Sequence, residues 1–133
     1  MSDETRSDAT TEGIRVEVSS FYLEDRSHPA ASRFVFGYRV RITNVSHDEP
    51  VQLKTRHWII ENQLGKREDV RGAGVVGEQP TLAPGQSFEY TSGAMLETPR
   101  GTMRGNYQMY RPDGRVIEAA IAPFALSVPY SLN

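Results

Sequence analysis

From Gly13 onward, apolar and polar residues alternate with a period of two. Ile14, Val16 and Val18 interleave with Arg15, Glu17 and Ser19. Further on, Phe34, Phe36, Tyr38, Val40 and Ile42 interleave with Arg33, Val35, Gly37, Arg39 and Arg41. That period places one set of side chains on a buried face and the other in water, so both segments are predicted strands. A third strand is expected from Val51 to Glu61, with Val51, Leu53 and Ile59 on one parity and Gln52, Lys54 and Arg56 on the other. Trp58 and Ile60 break this pattern, which means either that both faces are covered there or that a bulge switches the register.

Turn chemistry divides the rest of the chain. Asn62 to Gly65 reads as a hairpin turn and Pro112-Asp113-Gly114 as a second tight turn. Leu82-Ala83-Pro84-Gly85 fits a type II turn, with proline presetting φ at its second position and glycine taking positive φ at its third. Strands are expected at Ser87–Ser92, Met103–Tyr110 and Val116–Ala122. Beyond Pro123 the alternation resumes on a new parity at Phe124, Leu126 and Val128, which suggests an edge or a bulge. No window forms a useful amphipathic helix. About seven or eight short strands with regular turns predict an all-β antiparallel sandwich. Residues 1–12 are polar and aperiodic and read as a flexible N-terminal tail, residues 13–128 as the domain, and residues 129–133 as a short C-terminal tail.

Composition removes several function classes. The 133 residues suffice for one domain with its own core. There is no cysteine, so disulfides, zinc–thiolate sites and thiol catalysis are excluded. A net charge of −2 gives no general pull toward nucleic acid or membrane. The opening MSDETRSDATTE lacks the apolar stretch of a signal peptide, and a cytoplasmic location is the expectation.

Gly72, Gly74 and Gly77 spell G-x-G-x-x-G. A dinucleotide site with that string needs a buried strand before it and a helix after it, whose N-terminal amides hold the pyrophosphate. Here GKREDVR precedes it with a single large apolar residue, and Pro80 and Pro84 follow. The dinucleotide reading fails. Two readings stay open: the glycines bend a β edge, or their N–H groups form an anion-binding nest assisted by Arg71 or Arg67 and by Arg104.

Other candidates are weaker. His28, His47 and His57 are scattered without ligand spacing, and His47-Asp48-Glu49 reads as a solvated acidic loop. His57 is expected as a packed or hydrogen-bonded imidazole. No nucleophile, base and orienting group stand in a recognisable order, so no catalytic residue, metal site or cofactor is expected. Arg39 and Arg41 with Lys54 and Arg56 would form a basic patch if their two strands paired.

RFVFGYRVRITN, VQLKTRHWIIEN, VRGAGVVGEQPTLAPGQSFEYTSG, the run from Met95 to Tyr110 and IAPFALSVP together resemble the bacterial ApaG proteins over roughly Ile14 to Val128. The resemblance implies a fibronectin type III-like or immunoglobulin-like sandwich without established enzymatic activity. It also implies an association with cobalt and magnesium efflux or tolerance, and in larger proteins a role as an interaction module. A chain with no membrane segment cannot itself carry an ion across a bilayer. The leading expectation is therefore a non-enzymatic module that binds a protein partner, as a monomer or an edge-paired homodimer. Its interface is expected where Arg71 to Gln79 and Ser92 to Arg104 meet. The alternative is a regulator linked to phosphate, pyrophosphate or a divalent metal, using Gly72, Gly74, Gly77, Arg71 and Arg104.

Overall fold

The computed structural model describes residues 4–129. Among the described residues nine antiparallel strands form two sheets. The first contains β1 (Arg6–Thr11), β2 (Ile14–Tyr22), β3 (Phe34–Asn44) and β7 (Ser87–Leu96), in the order β1-β2-β3-β7. The second contains β5 (Arg67–Ala73), β4 (Val51–Asn62), β8 (Arg100–Tyr110) and β9 (Val116–Ser127), in the order β5-β4-β8-β9. The short β6 (Thr81–Leu82) pairs with the start of β4. Their apolar faces meet in one core. Val16, Phe36, Tyr38 and Val40 from the first sheet lie over Trp58, Tyr107, Met109 and Phe124 from the second, all of them buried. Burying each such side chain contributes roughly 1.5–3 kcal/mol. Trp58 meets Tyr38, Tyr107 and Phe124 edge-on, the arrangement that ring quadrupoles favour.

Nine strands replace the expected seven or eight, and β1 accounts for part of the difference. Arg6–Thr11, read from the sequence as tail, pairs with β2 through a hairpin whose turn residues, Glu12 and Gly13, have φ values of 46° and 84°. The inward positions of β1 are Ser7, Ala9 and Thr11, all half-buried. Small residues fit on a rim where the sheets converge, and they leave no apolar alternation to read. Residues 1–3 and 130–133, assigned to the tails, lie outside the described residues.

Two bulges settle the parity breaks. Leu53 faces Met109 but Thr55 faces Gln108, so Lys54 has no opposite number. After that extra residue the inward set becomes Arg56, Trp58 and Ile60. On β9, Ile121 faces Gly105 and Phe124 faces Met103, so Ala122 and Pro123 stand against Arg104 alone. There the proline sits on the outermost strand of its sheet, where a missing ladder donor is tolerated. The basic patch does not form: Arg39 and Arg41 are on the first sheet, Lys54 and Arg56 on the second, and the β4 bulge turns Arg56 inward.

Two polar residues lock one end of the sandwich. Asn44, fully buried, donates to Glu49 O at 2.7 Å and Leu82 O at 2.9 Å, and its Oδ1 accepts from Ser46. The Arg111 side chain, 4% exposed, donates to Glu12 O at 3.0 Å, Glu49 O at 3.1 Å and Pro50 O at 3.4 Å. It ties the β1–β2 hairpin to the β3–β4 connection. The Ala83–Gln86 turn forms as its sequence predicts, closed by Gln86 N to Ala83 O at 2.9 Å with Gly85 at φ 85°.

Candidate functional site

The glycine run leaves β5 and turns back toward β6 through a two-residue hairpin, Val75-Val76-Gly77-Glu78. Val75 N donates to Glu78 O and Glu78 N to Val75 O, both at 2.8 Å. Positive φ at both central residues, 43° at Val76 and 80° at Gly77, is the type I′ geometry. Gly74 also has positive φ, and a Cβ there would lie 2.3 Å from Glu78 O. Gly72 faces inward opposite Arg56, whose guanidinium would lie only 2.8 Å from a Cβ there. From that seat Arg56 donates to Ala73 O at 3.0 Å and Gly74 O at 2.9 Å.

Further bonds brace the hairpin. Gly74 N and the Gln79 side-chain amide both donate to Lys54 O at 2.9 Å, and the Gln52 amide donates to Gln79 O at 3.1 Å. Lys54 is the bulged residue of β4. Its extra length therefore supplies the carbonyl on which the hairpin hangs. Val75 is buried at 1% exposure, and Val76 beside it is 57% exposed.

The amides of Gly74, Val75 and Glu78 all donate within the fold. Arg71 and Arg104 lie on the outer face of the second sheet. Arg71 stands opposite His57, and Arg104 is ion-paired with Glu61. The glycines serve the backbone: Gly72 makes room for Arg56, and Gly74 and Gly77 permit the turn. Of the two segments expected to form an interface, Arg71 and Arg104 share the outer face, while their turns lie apart. The hairpin hangs near the start of β4, whereas the turn within Ser92 to Arg104 lies at the opposite end, beside Asn62.

On that outer face His57 Nε2 bonds Asp69 Oδ2 at 2.9 Å, and Arg67 Nε donates to Asp69 Oδ1 at 2.8 Å. The Arg67 and His57 contacts hold the Asp69 carboxyl well below the usual carboxylate range. Thr55, Arg71, Asn106, Gln108 and Glu118 line the same shallow, exposed depression. His57 is the hydrogen-bonded imidazole expected from the sequence, oriented by a carboxylate, and among the described residues no hydroxyl is bonded to it. In the interior, burial pushes the Tyr38, Tyr90 and Tyr107 phenols up, with the Arg56 charge pulling weakly the other way. The Tyr90 and Tyr107 hydroxyls bond one another across the sheets. Glu49 of the acidic loop is held by Arg115 at 2.7 Å. Among the described residues no group of three His, Asp or Glu side chains could hold a metal, and no helix is long and apolar enough to cross a membrane.

The residues that sequence reasoning missed are Val76 and Arg111. Val76 carried one cue, a Val-Gly pair in a glycine-rich turn where Asn-Gly would be ordinary. Arg111 carried none, because its partners are main-chain carbonyls distant in sequence.

The fold recurs in known proteins. The ApaG domain model matches residues 24–111. Protein ApaG of Anaeromyxobacter dehalogenans strain 2CP-C is 54% identical over 127 residues, covering 96% of this chain and 99% of that one. Protein ApaG of Pseudomonas putida strain W619 is 49% identical over 120 residues, covering 90% and 94%. The crystal structure of a Bordetella pertussis protein named ApaA, 42% identical, superimposes with a TM-score of 0.85 over 98% of this chain and 100% of its own. Sequence and fold agree over nearly the whole length, and the chain belongs to the ApaG family.

Proposed function

We propose that this protein is a non-enzymatic binding module that docks a protein partner through the tip of the Val75–Glu78 hairpin. Val76 carries the reading. A β-branched residue at positive φ is a true outlier, costing about 1–2 kcal/mol relative to a relaxed backbone. Asparagine or glycine would relieve that cost at the first central position of a type I′ turn. The chain instead keeps a strained valine, exposes it, and braces the turn behind it with bonds to Lys54 and Gln79. Strain held at an exposed surface position points to an external contact. A rigid apolar knob loses little freedom on entering a partner's apolar pocket, the property of an interface anchor.

The alternative, a regulator linked to phosphate or a divalent metal, could not draw on the Gly74 amide, which already donates to Lys54 O.

The test compares wild type with Val76→Asn as immobilised bait, first in lysate and then with each retained protein purified. The reading predicts that Val76→Asn is more heat-stable yet binds at least about tenfold more weakly, the loss expected of an anchor residue. Equal binding by both forms contradicts it. Since the variant relieves strain, misfolding cannot mimic the predicted loss.

A further inference from the structure

The first sheet ends on β7, and among the described residues no strand follows it. Exposed sheet edges are ordinarily blunted by lysine, proline, a bulge or a covering segment. The other open edge, β5, follows that rule: its sequence REDVRGA is crowded with charge. By contrast, β7 reads SFEYTSGAML, with Glu89 its one charge and an unbroken register against β3.

Its main-chain groups have a definite direction. Asn44 N donates to Gln86 O at 3.0 Å, which makes that pair a hydrogen-bonded one. Antiparallel alternation then turns the groups of Phe88, Tyr90, Ser92 and Ala94 toward β3. Those of Ser87, Glu89, Thr91, Gly93 and Met95 turn toward the open edge. The strand is also complementary to itself about Thr91. Tyr90 mirrors Ser92, Glu89 mirrors Gly93, Phe88 mirrors Ala94, and Met95 mirrors Ser87. Every pair sets a large side chain against a small one.

We propose that β7 pairs antiparallel with β7 of a second copy of this chain, on a two-fold axis through Thr91. The axis sets open-edge groups against open-edge groups: Thr91 with Thr91, Glu89 with Gly93, Ser87 with Met95. Threonine against threonine is a favourable cross-strand pair. Shifting the axis to Glu89 would set two carboxylates face to face, and shifting it to Gly93 would set Glu89 against Glu97 of the other copy. The axis through Thr91 avoids both clashes. The paired copies share one continuous sheet, the isologous contact expected of a two-fold dimer. Exposed Met95 and Phe21, which lies over Gly37 beside Gly93, extend the contact surface on its outer face.

Sedimentation velocity on the full chain from about 1 to 300 µM tests this, because a dimer's population depends on protomer concentration. The expected result is a concentration-dependent shift from the 14.9 kDa chain to twice that mass. Thr91→Pro removes an N–H at the axis that takes no part in the β3 ladder, so it should remain folded and stay monomeric throughout. Gly93 supplies the test of register, since a Cβ there meets nothing closer than Phe36 O at 3.3 Å. Gly93→Lys, facing Glu89, should tighten the dimer about threefold or more, and Gly93→Glu should weaken it by a similar factor, the scale of a cross-strand charge pair. A monomer at every concentration overturns the proposal. So does a dimer indifferent to Thr91→Pro, or one that responds alike to lysine and glutamate at position 93.

Discussion

Along one long side of the sandwich β1 lies against β9, and along the other β7 and β5 leave the edges of both sheets open. On the closed side, edge amides find acceptors across the seam. Ala120 N donates to Thr11 Oγ1 at 3.1 Å and Ala125 N to Glu4 O at 2.6 Å, while Ser20 Oγ donates to Ala125 O at 2.6 Å. On the open side an exposed ion pair, Lys66 with Glu97 at 3.2 Å, crosses between the sheets, and the Tyr90–Tyr107 hydroxyl pair joins them from within. The closed side pairs these edge groups internally and serves the fold. The open side leaves donors and acceptors to water, and its hairpin tip displays a strained valine. The two seams therefore divide the edges that hold the fold together from the edges that stay exposed.

The largest effect should come from Arg111, which ties the β1–β2 hairpin into the closed end. Arg111→Leu strands the carbonyls of Glu12, Glu49 and Pro50 and should cost about 3 kcal/mol in urea unfolding. A cost below about 1 kcal/mol would show that β1 is held by its ladder alone. A matched pair of prolines compares the seams directly. Ala120→Pro loses the bond to Thr11, whereas Thr91→Pro loses an N–H facing the open edge. Strain in φ is common to both, so in monomeric protein the first should be less stable by about 1 kcal/mol, the net value of one hydrogen bond. Equal melting temperatures would erase the distinction between the seams.

Val76→Asn should stabilise by about 1 kcal/mol by removing αL strain, read as a rise in the melting temperature. Alkaline titration probes the tie beneath β7. The folded pKa values of Tyr90 and Tyr107 are raised above the ordinary value of 10.0 by burial. Their neutral forms therefore contribute stability that is complete below pH 10 and is lost as pH rises through the folded values. Tyr90→Phe should flatten that alkaline decline. The smallest effect is expected at Lys66→Ala, below about 0.5 kcal/mol, because exposed ion pairs are screened.

Much of this was legible in the sequence, and the parts that were not share a physical reason. The β3 alternation from Phe34 to Ile42, the Leu82–Gly85 turn and the parity change after Pro123 are local patterns, and each appears where its pattern predicts. Tail and β1 could not be distinguished because Ser7, Ala9 and Thr11 carry no apolar cue. The β4 bulge showed only as a conflict at Trp58, since one extra residue at Lys54 inverts every parity after it. The glycine string left two readings open because spacing does not reveal where amides point. Here Gly74 N points to Lys54 O, a partner defined by strand pairing and invisible to a motif.

Amide hydrogen exchange followed residue by residue at low and high protein concentration tests the division of the seams most directly. The account predicts that Ala120 and Ala125 are protected at both concentrations. It predicts that Glu89, Thr91, Gly93 and Met95 exchange freely when dilute and become protected when concentrated. If the β7 edge is as protected as β9 in dilute solution, or equally unprotected at every concentration, the open seam is not a pairing surface and the account is contradicted.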